Sequence, residues 1–355
     1  MATVWYAVNS SVNIDSANEW NDAANGSGNF LTWANLAADD TLRANGKTAI
    51  AINVDFTAAQ IDTLTNGGGF TVATARTISA DIQAGTSTCI TTSGSGYTLT
   101  INGDVTGSAT TDSAMCIKNQ VNPGIDITVN GTVRGGSGTG TWSYGLLNSY
   151  SCTVTVTTAI GGSAANSYGI YHNGTSGTVN VTNVTGGSAA NSYGVYSNTN
   201  TVNVTNVTGG SAATAYGIIL ASAGYINISG SVTAGSATGC NAVYSLHVSS
   251  IVTVTGDIID NQYAAAICAK VLIINQGTTN YYRVYTGATT RDMYYDLPDV
   301  GNVTEDDTVA GATGTYHEAT EAEVQSGVHF GASSALTGSY AGGGGGRPEF
   351  RGGNL

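Results

Sequence analysis

The stretch that decides the fold is GGSAANSYGI (161–170), which returns as GGSAANSYGV (186–195), GGSAATAYGI (209–218) and AGSATGCNAV (234–243). The copies start at Gly161, Gly186, Gly209 and Ala234, so they are spaced by 25, 23 and 25 residues. A period of about 20–30 residues rich in Val, Thr, Asn and Gly is the mark of a solenoid. Outward from these copies the repeat extends over about residues 79–277.

One aliphatic column reads Ile90, Ile117, Leu146, Ile170, Val195, Ile218, Val243, Ile267, and each member follows a Cys, Gly or Ala. A second column reads Ile101, Val129, Val156, Val181, Val204, Ile228, Val254, Ile274. Around it apolar and polar residues alternate, as in Val179-Asn180-Val181-Thr182. Alternation of period two with β-branched residues predicts strands with one buried and one wet side. Gly-Gly, Asn-Gly and Ser-Gly pairs predict the turns. No rung can bury its aliphatic side alone, but stacked rungs bury a continuous column. The expected fold is all-β, a single-stranded right-handed parallel β-helix with small N- and C-terminal capping or attachment modules. Eight rungs at about 4.8 Å each give a rod of roughly 40 Å. A propeller blade needs about 40–50 residues, more than this period supplies.

The 355 residues suffice for one long solenoid with terminal modules. Charged residues are 9% of the chain, against about 25% in ordinary domains. No Asp, Glu, Lys or Arg occurs between Gly135 and Gly256, so Ser, Thr, Asn and backbone must hydrate that surface. The net charge of −13 is carried mainly by the ends. Ten Lys and Arg in all argue against nucleic acid, which needs clustered cations. The N-terminus MATVWYAVNSSVN has no basic start and no apolar core, which argues against a signal peptide. No apolar run reaches the length of a membrane span.

In chain order, residues 1–38 contain Trp5, Trp20 and Trp33. They read as a cap over the end of the solenoid, whose bare first rung would be adhesive, or as an attachment module. Residues 39–277 form the solenoid, starting with less regular rungs around Ile50–Val54 and Phe70–Val72 and with a short helix or turn at Ala58–Leu64. Residues 278–340 are Tyr-rich and then acidic modules, with Tyr281, Tyr282, Tyr285, Tyr294 and Tyr295 beside Arg283 and Arg291. Tyr and Arg of this kind cap a rod or pack between subunits. Residues 341–355, AGGGGGRPEFRGGNL, read as a flexible tail with Arg347, Phe350 and Arg351 as contact residues.

Enzymes on β-helices use paired carboxylates. Asp104 and Asp126 could meet on adjacent rungs, but Asp is also a standard turn residue, and that is the expectation here. No nucleophile motif, phosphate loop or metal-ligand spacing is present, so neither a cofactor nor a metal is expected. The acidic runs Asp39-Asp40 and Glu305-Asp306-Asp307 lack calcium-loop spacing and read as solvated turns. Five cysteines leave one odd, and Cys89 and Cys116 share the small-residue column one rung apart. They are expected to be small buried hydrophobes. The best binding feature is the column Tyr144, Tyr168, Tyr193, Tyr216, joined by Tyr171 and Tyr196. Facing solvent beside an Asn ladder (Asn180, Asn203, Asn227), it would hold a glycan. Facing a subunit it would be an interface, and facing inward, core.

The order of features carries a resemblance. An aromatic start is followed by DDTLRANGKTAIAINVDF (39–56), GGGFTVATARTISADIQAGTSTCIT (67–91), NGDVTGS-like rungs and TEAEVQSGVHFGASSALTGSY (320–340). This resembles β-solenoid virion proteins of tailed bacteriophages, of the decoration and fibre kind. The resemblance implies a non-enzymatic structural protein, made in the host cytoplasm and located in the virion. It would be a homotrimer attached by its end modules to major capsid or tail proteins. The alternative is a receptor-binding fibre or tailspike contacting host surface glycans, or a polysaccharide depolymerase.

Overall fold

The computed structural model describes residues 2–255 apart from 110–114, 120–121, 123, 139–142, 175, 199–200, 238–240 and 246–249; beyond 255 it describes short strands only. The part of the Tyr-rich segment at 285–294 and the tail with Arg347, Phe350 and Arg351 lie outside the described residues. The chain separates into two compact units, Met1–Thr278 with Arg283–Asp292 and Thr279–Tyr282 with Met293–Leu355. The second contains short antiparallel pairs, among them Thr308–Val309 with Ala312–Thr313 and His329–Phe330 with Leu336–Thr337. The first is a parallel β-solenoid.

Each regular rung contributes a short strand and a long one. The short strands, such as Ile170–His172 and Val195–Ser197, stack into a ten-stranded parallel sheet that runs from Ile50–Ala51 to Ile267–Cys268. Its register brings Ile90, Ile117, Leu146, Ile170, Val195, Ile218, Val243 and Ile267 into one column, as the sequence predicts. The long strands include Asp126–Arg134, Cys152–Ile160, Gly177–Thr185 and Thr201–Thr208. They align the second predicted column from Ile101 through Val181 to Ile274. Parallel register repeats every side chain one rung away, so one β-branched residue per rung builds a continuous wall.

A third inward column was not foreseen. It runs Leu42, Ile61, Ile82, Val105, Val133, Ala159, Val184, Val207, Val232. In Gly177–Thr185 the inward residues are Val179 and Val181, then Val184. Two residues, Thr182 and Asn183, separate the last two, so the strand turns a corner there and begins a new inward wall. Ala58–Leu64, expected as a helix or turn, is part of this wall instead. Phe56–Asp62 is a strand, paired in parallel with Thr41–Arg43 on one side and Arg76–Gln83 on the other. The backbone bonds of both neighbours override its local Ala content.

The repeat GGSAANSYG is the tight corner that returns the long strand to the short sheet. Gly162 and Gly187 accept no side chain: a Cβ on Gly162 would lie 2.1 Å from the Gly136 carbonyl oxygen, and one on Gly187 2.2 Å from that of Gly162. The corner closes with the Gly187 N–H donating to the Ser192 carbonyl at 2.6 Å, and the Ser188 N–H to Gly162 of the previous rung at 3.2 Å. Within it Asn166, Asn191 and Thr214 occupy the same position with φ of 54°, 55° and 62°. Asn tolerates this left-handed conformation; a β-branched Thr does not.

Residues 2–38 close one end. Val4–Ala7 pairs in parallel with Thr41–Arg43, and Trp20–Asn21 pairs antiparallel with Val4–Ala7. The Ile14 N–H bonds the Ala51 carbonyl at 2.8 Å, covering the start of the short sheet as well. Trp20 is 1% exposed, stacks on Phe70 and donates its indole N–H to the Ile14 carbonyl at 2.7 Å. Trp33 meets Phe56 edge-on. Trp5 donates to Asp40 at 2.9 Å, and Asp40 also accepts the Thr3 and Ala37 N–H groups. Burial pushes the Asp40 carboxyl up, but these donors from Ala37, Trp5 and Thr3 outweigh it and hold it below its ordinary value. The three tryptophans are thus integral to the cap.

A buried pair locks the second rung. Arg43 holds Asp62 in a bidentate fork at 2.7 and 3.0 Å, and Asp62 is fully buried. Gln60 and the Leu64 N–H complete its partners. Two stability measurements follow from this anatomy. R43A leaves a buried carboxylate without its cation, and denaturant titration should show a loss of about 3 kcal/mol. T214N restores the residue that the other corners use and relieves left-handed strain; the same titration should show a gain of about 1 kcal/mol.

Candidate functional surface

The tyrosine column is real and is nearly closed to solvent. Tyr144, Tyr168, Tyr193 and Tyr216 are 2%, 7%, 7% and 8% exposed. Successive rings stack at 5.0, 4.9 and 5.6 Å between centroids, and Tyr244 extends the stack 4.6 Å beyond Tyr216. The position in the fold explains this. Each of the four directly precedes a Gly at the corner (Gly145, Gly169, Gly194 and Gly217), and its ring lies over the outer side of the ten-stranded sheet. There it packs with Leu147, Tyr171, Tyr196 and Ile219, a second apolar cluster outside the aliphatic interior. Burial, reinforced by the neighbouring phenols, raises the Tyr144 and Tyr168 hydroxyls and pushes Tyr193 up to about 12. The column therefore stays neutral and acts as a spine of stacked rings along the rod.

Asn180 and Asn203 lie on the outer side of the long strands, paired rung to rung with Asn227. The Asn203 side-chain amide donates to Asn180 at 2.9 Å, and that of Asn227 to Asn203 at 2.9 Å. Asn206 donates to Asn183 at 3.0 Å in a parallel ladder. The predicted Asn ladder is thus formed, but it does not adjoin the four buried tyrosines; they belong to the other sheet. Beside it runs an open groove of about 530 Å³ lined on its outer side by Thr155, Asn180, Thr182, Asn203, Thr205 and Asn227, while Val181, Val204 and Ile228 between them turn their side chains into the rod. A second shallow trough follows the Gly-Gly-Ser corners from Arg134 to Ser236.

The carboxylates serve the rungs. Asp81 accepts the Asp104 N–H at 2.9 Å, Asp104 the Thr132 N–H at 2.7 Å, and Asp126 the Thr153 N–H at 2.8 Å. Asp104 precedes Val105 of the third column, whereas Asp126 opens a long strand opposite Thr98. They occupy different corners and do not form a pair. Each fastens its own turn to the next rung.

The short sheet also has an inward polar column that composition alone did not single out: Asn119, Asn148, His172 and Ser197 in register, all fully buried. Thr92 donates to Asn119 at 2.9 Å, Asn119 to Asn148 at 2.8 Å, and Asn148 to the Tyr150 carbonyl at 2.6 Å. The signal was parity: each lies two residues after the aliphatic column and so points the same way. Cys152 lies close by, 3.9 Å from the Asn119 amide. Burial, aided by the Asp126 charge, pushes its thiol up to about 12, and burial lowers His172 to about 4. A protonated thiol and a neutral imidazole are the reverse of an activated cysteine–histidine pair. Cys89 and Cys116 are free, buried thiols, as the small-residue column implies.

Comparison with protein-family models, with curated proteins and with solved structures gives no match. The class is therefore defined by the fold itself: a parallel β-solenoid whose polar side chains run as ladders along the rod.

His172 gives the rod a pH dependence with a definite sign. Its folded pKa of about 4 lies below the ordinary 6.5, so the unfolded chain binds the proton first. The stability His172 permits is whole above pH 6.5, falls as pH drops, and is lost by about pH 4, roughly 3 kcal/mol in all. H172N, which places in this rung the residue already present at Asn148, should flatten that part of the stability–pH curve in denaturant titrations.

Proposed function

We propose that this chain is a non-enzymatic structural protein of a phage-like virion, a head-decoration or fibre protein held to the particle by its terminal modules. The observation that carries this reading is how the rod uses its polar groups. Asp81, Asp104 and Asp126 bind backbone N–H groups of the next rung, and the Asn180–Asn203–Asn227 amides bind one another along the axis. Groups that would supply acid–base chemistry in an enzyme are here fasteners between rungs. A lengthwise-fastened rod, without charge from Gly135 to Gly256, is suited to hold two things at a fixed distance. The resemblance of its order of features to phage β-solenoid virion proteins supports the same reading, and in that setting it is a homotrimer bound to capsid or tail proteins. The second reading, a fibre that contacts host glycans, is favoured by the amide ladder and groove on the outer side of the long strands.

The test is mass in solution together with labelled antibody on intact particles. A trimer displayed over the shell or along a fibre is the expected result. A monomer that labels no particle would overturn the proposal.

A further inference from the structure

We infer that the outer side of the long strands is a binding site for a neutral polysaccharide, lying along the rod axis with Tyr225 as its stacking platform. This deepens the glycan-contacting reading but moves the site away from the buried tyrosine column, and it holds wherever the rod is mounted.

Four observations converge there. First, the surface is an open groove of about 530 Å³ whose outward side chains are the amides of Asn180, Asn203 and Asn227 and the hydroxyls of Thr155, Thr182 and Thr205. The hydroxyl rims of sugar rings match such a lining of donors and acceptors. Second, the amides are held in place but not used up. A side-chain amide has two N–H donors and two acceptor lone pairs. In the ladder Asn203 gives one N–H to Asn180 and accepts one from Asn227, so its second N–H and second lone pair are left for a ligand. Neighbouring amides fix its orientation in advance, which lowers the entropy lost on binding. Third, Tyr225 is 54% exposed, the most exposed large hydrophobic side chain among the described residues. It precedes Asn227 by two residues, with which it shares the outer side, about 7 Å along the strand. The tyrosines of the stack from Tyr144 to Tyr244 spend their rings on one another; this ring is open. Fourth, no charged residue occurs between Gly135 and Gly256, so the groove has no counter-ion to offer an anionic ligand. Its complement is uncharged.

The geometry also sets the direction. The ladder repeats once per rung, about 4.8 Å, close to the length one pyranose unit adds to an extended polysaccharide. A chain parallel to the axis therefore presents one sugar to each rung's amide and hydroxyl, whereas a chain across the rod meets only one or two rungs.

The experiment is affinity electrophoresis of the full chain through gels containing neutral glucans, galactomannan or mannan, with polygalacturonate as the anionic comparison. Calorimetry with soluble oligosaccharides follows. The expected result is retardation by at least one neutral polymer, undiminished at high salt because no ion pair is involved. Y225A should weaken that binding by about tenfold without altering thermal stability, since the ring is exposed. N203A should weaken it too, and S188A, on the Gly-Gly-Ser trough, should leave it unchanged. Absence of retardation by every neutral polymer, retardation by polygalacturonate alone, or full binding by Y225A would overturn the inference. None of these outcomes alters the particle-labelling result, so failure here is distinguishable from failure of the virion reading.

Discussion

Rung-to-rung parallel register is the constraint on which everything else depends. Once Val181 lies opposite Val156 and Val204, the residues before and after it are aligned as well. Every side chain then meets its own equivalent one rung away. Apolar equivalents make walls, amides make ladders, and aromatic rings make stacks. A charge in such a column would face a like charge at about 4.8 Å. That explains the absence of Asp, Glu, Lys and Arg from Gly135 to Gly256, where the repetition is strictest.

Where rungs are less regular, charge returns, and several carboxylates there have specific partners. Asp62 has Arg43, Asp40 has three N–H donors, and Asp81, Asp104 and Asp126 each bind a backbone N–H of the following rung. The N-terminal segment belongs to this irregular part. It adds a strand beside Thr41–Arg43 and lays Trp20 over Phe70, so the first rung is not left as an open edge.

Two aromatic environments separate covered rings from an open one. The column from Tyr144 to Tyr216 is covered by its own neighbours and stiffens the outside of the short sheet. Tyr225, on the outer side of the long strands, has no such cover. Identical residues thus play opposite parts because one set has an equivalent ring in the next rung and the other has Thr201 and Ile251 as neighbours.

Much of this was legible in the chain. The period of GGSAANSYG, the two aliphatic columns and the small-residue column are visible as text because a solenoid writes its contacts at fixed sequence separation. The Asn ladder was legible for the same reason. The third column was not, since the corner at Thr182–Asn183 breaks the alternation that would reveal it. Nor was strand Phe56–Asp62, whose partners are supplied by neighbouring rungs. The sequence by itself determined which residues share a column. Only the tertiary structure decided which way each column faces, because a corner resets parity and burial depends on what the next wall covers. That is why Tyr168 lies under its neighbours, His172 inside the rod, and Tyr225 in the open.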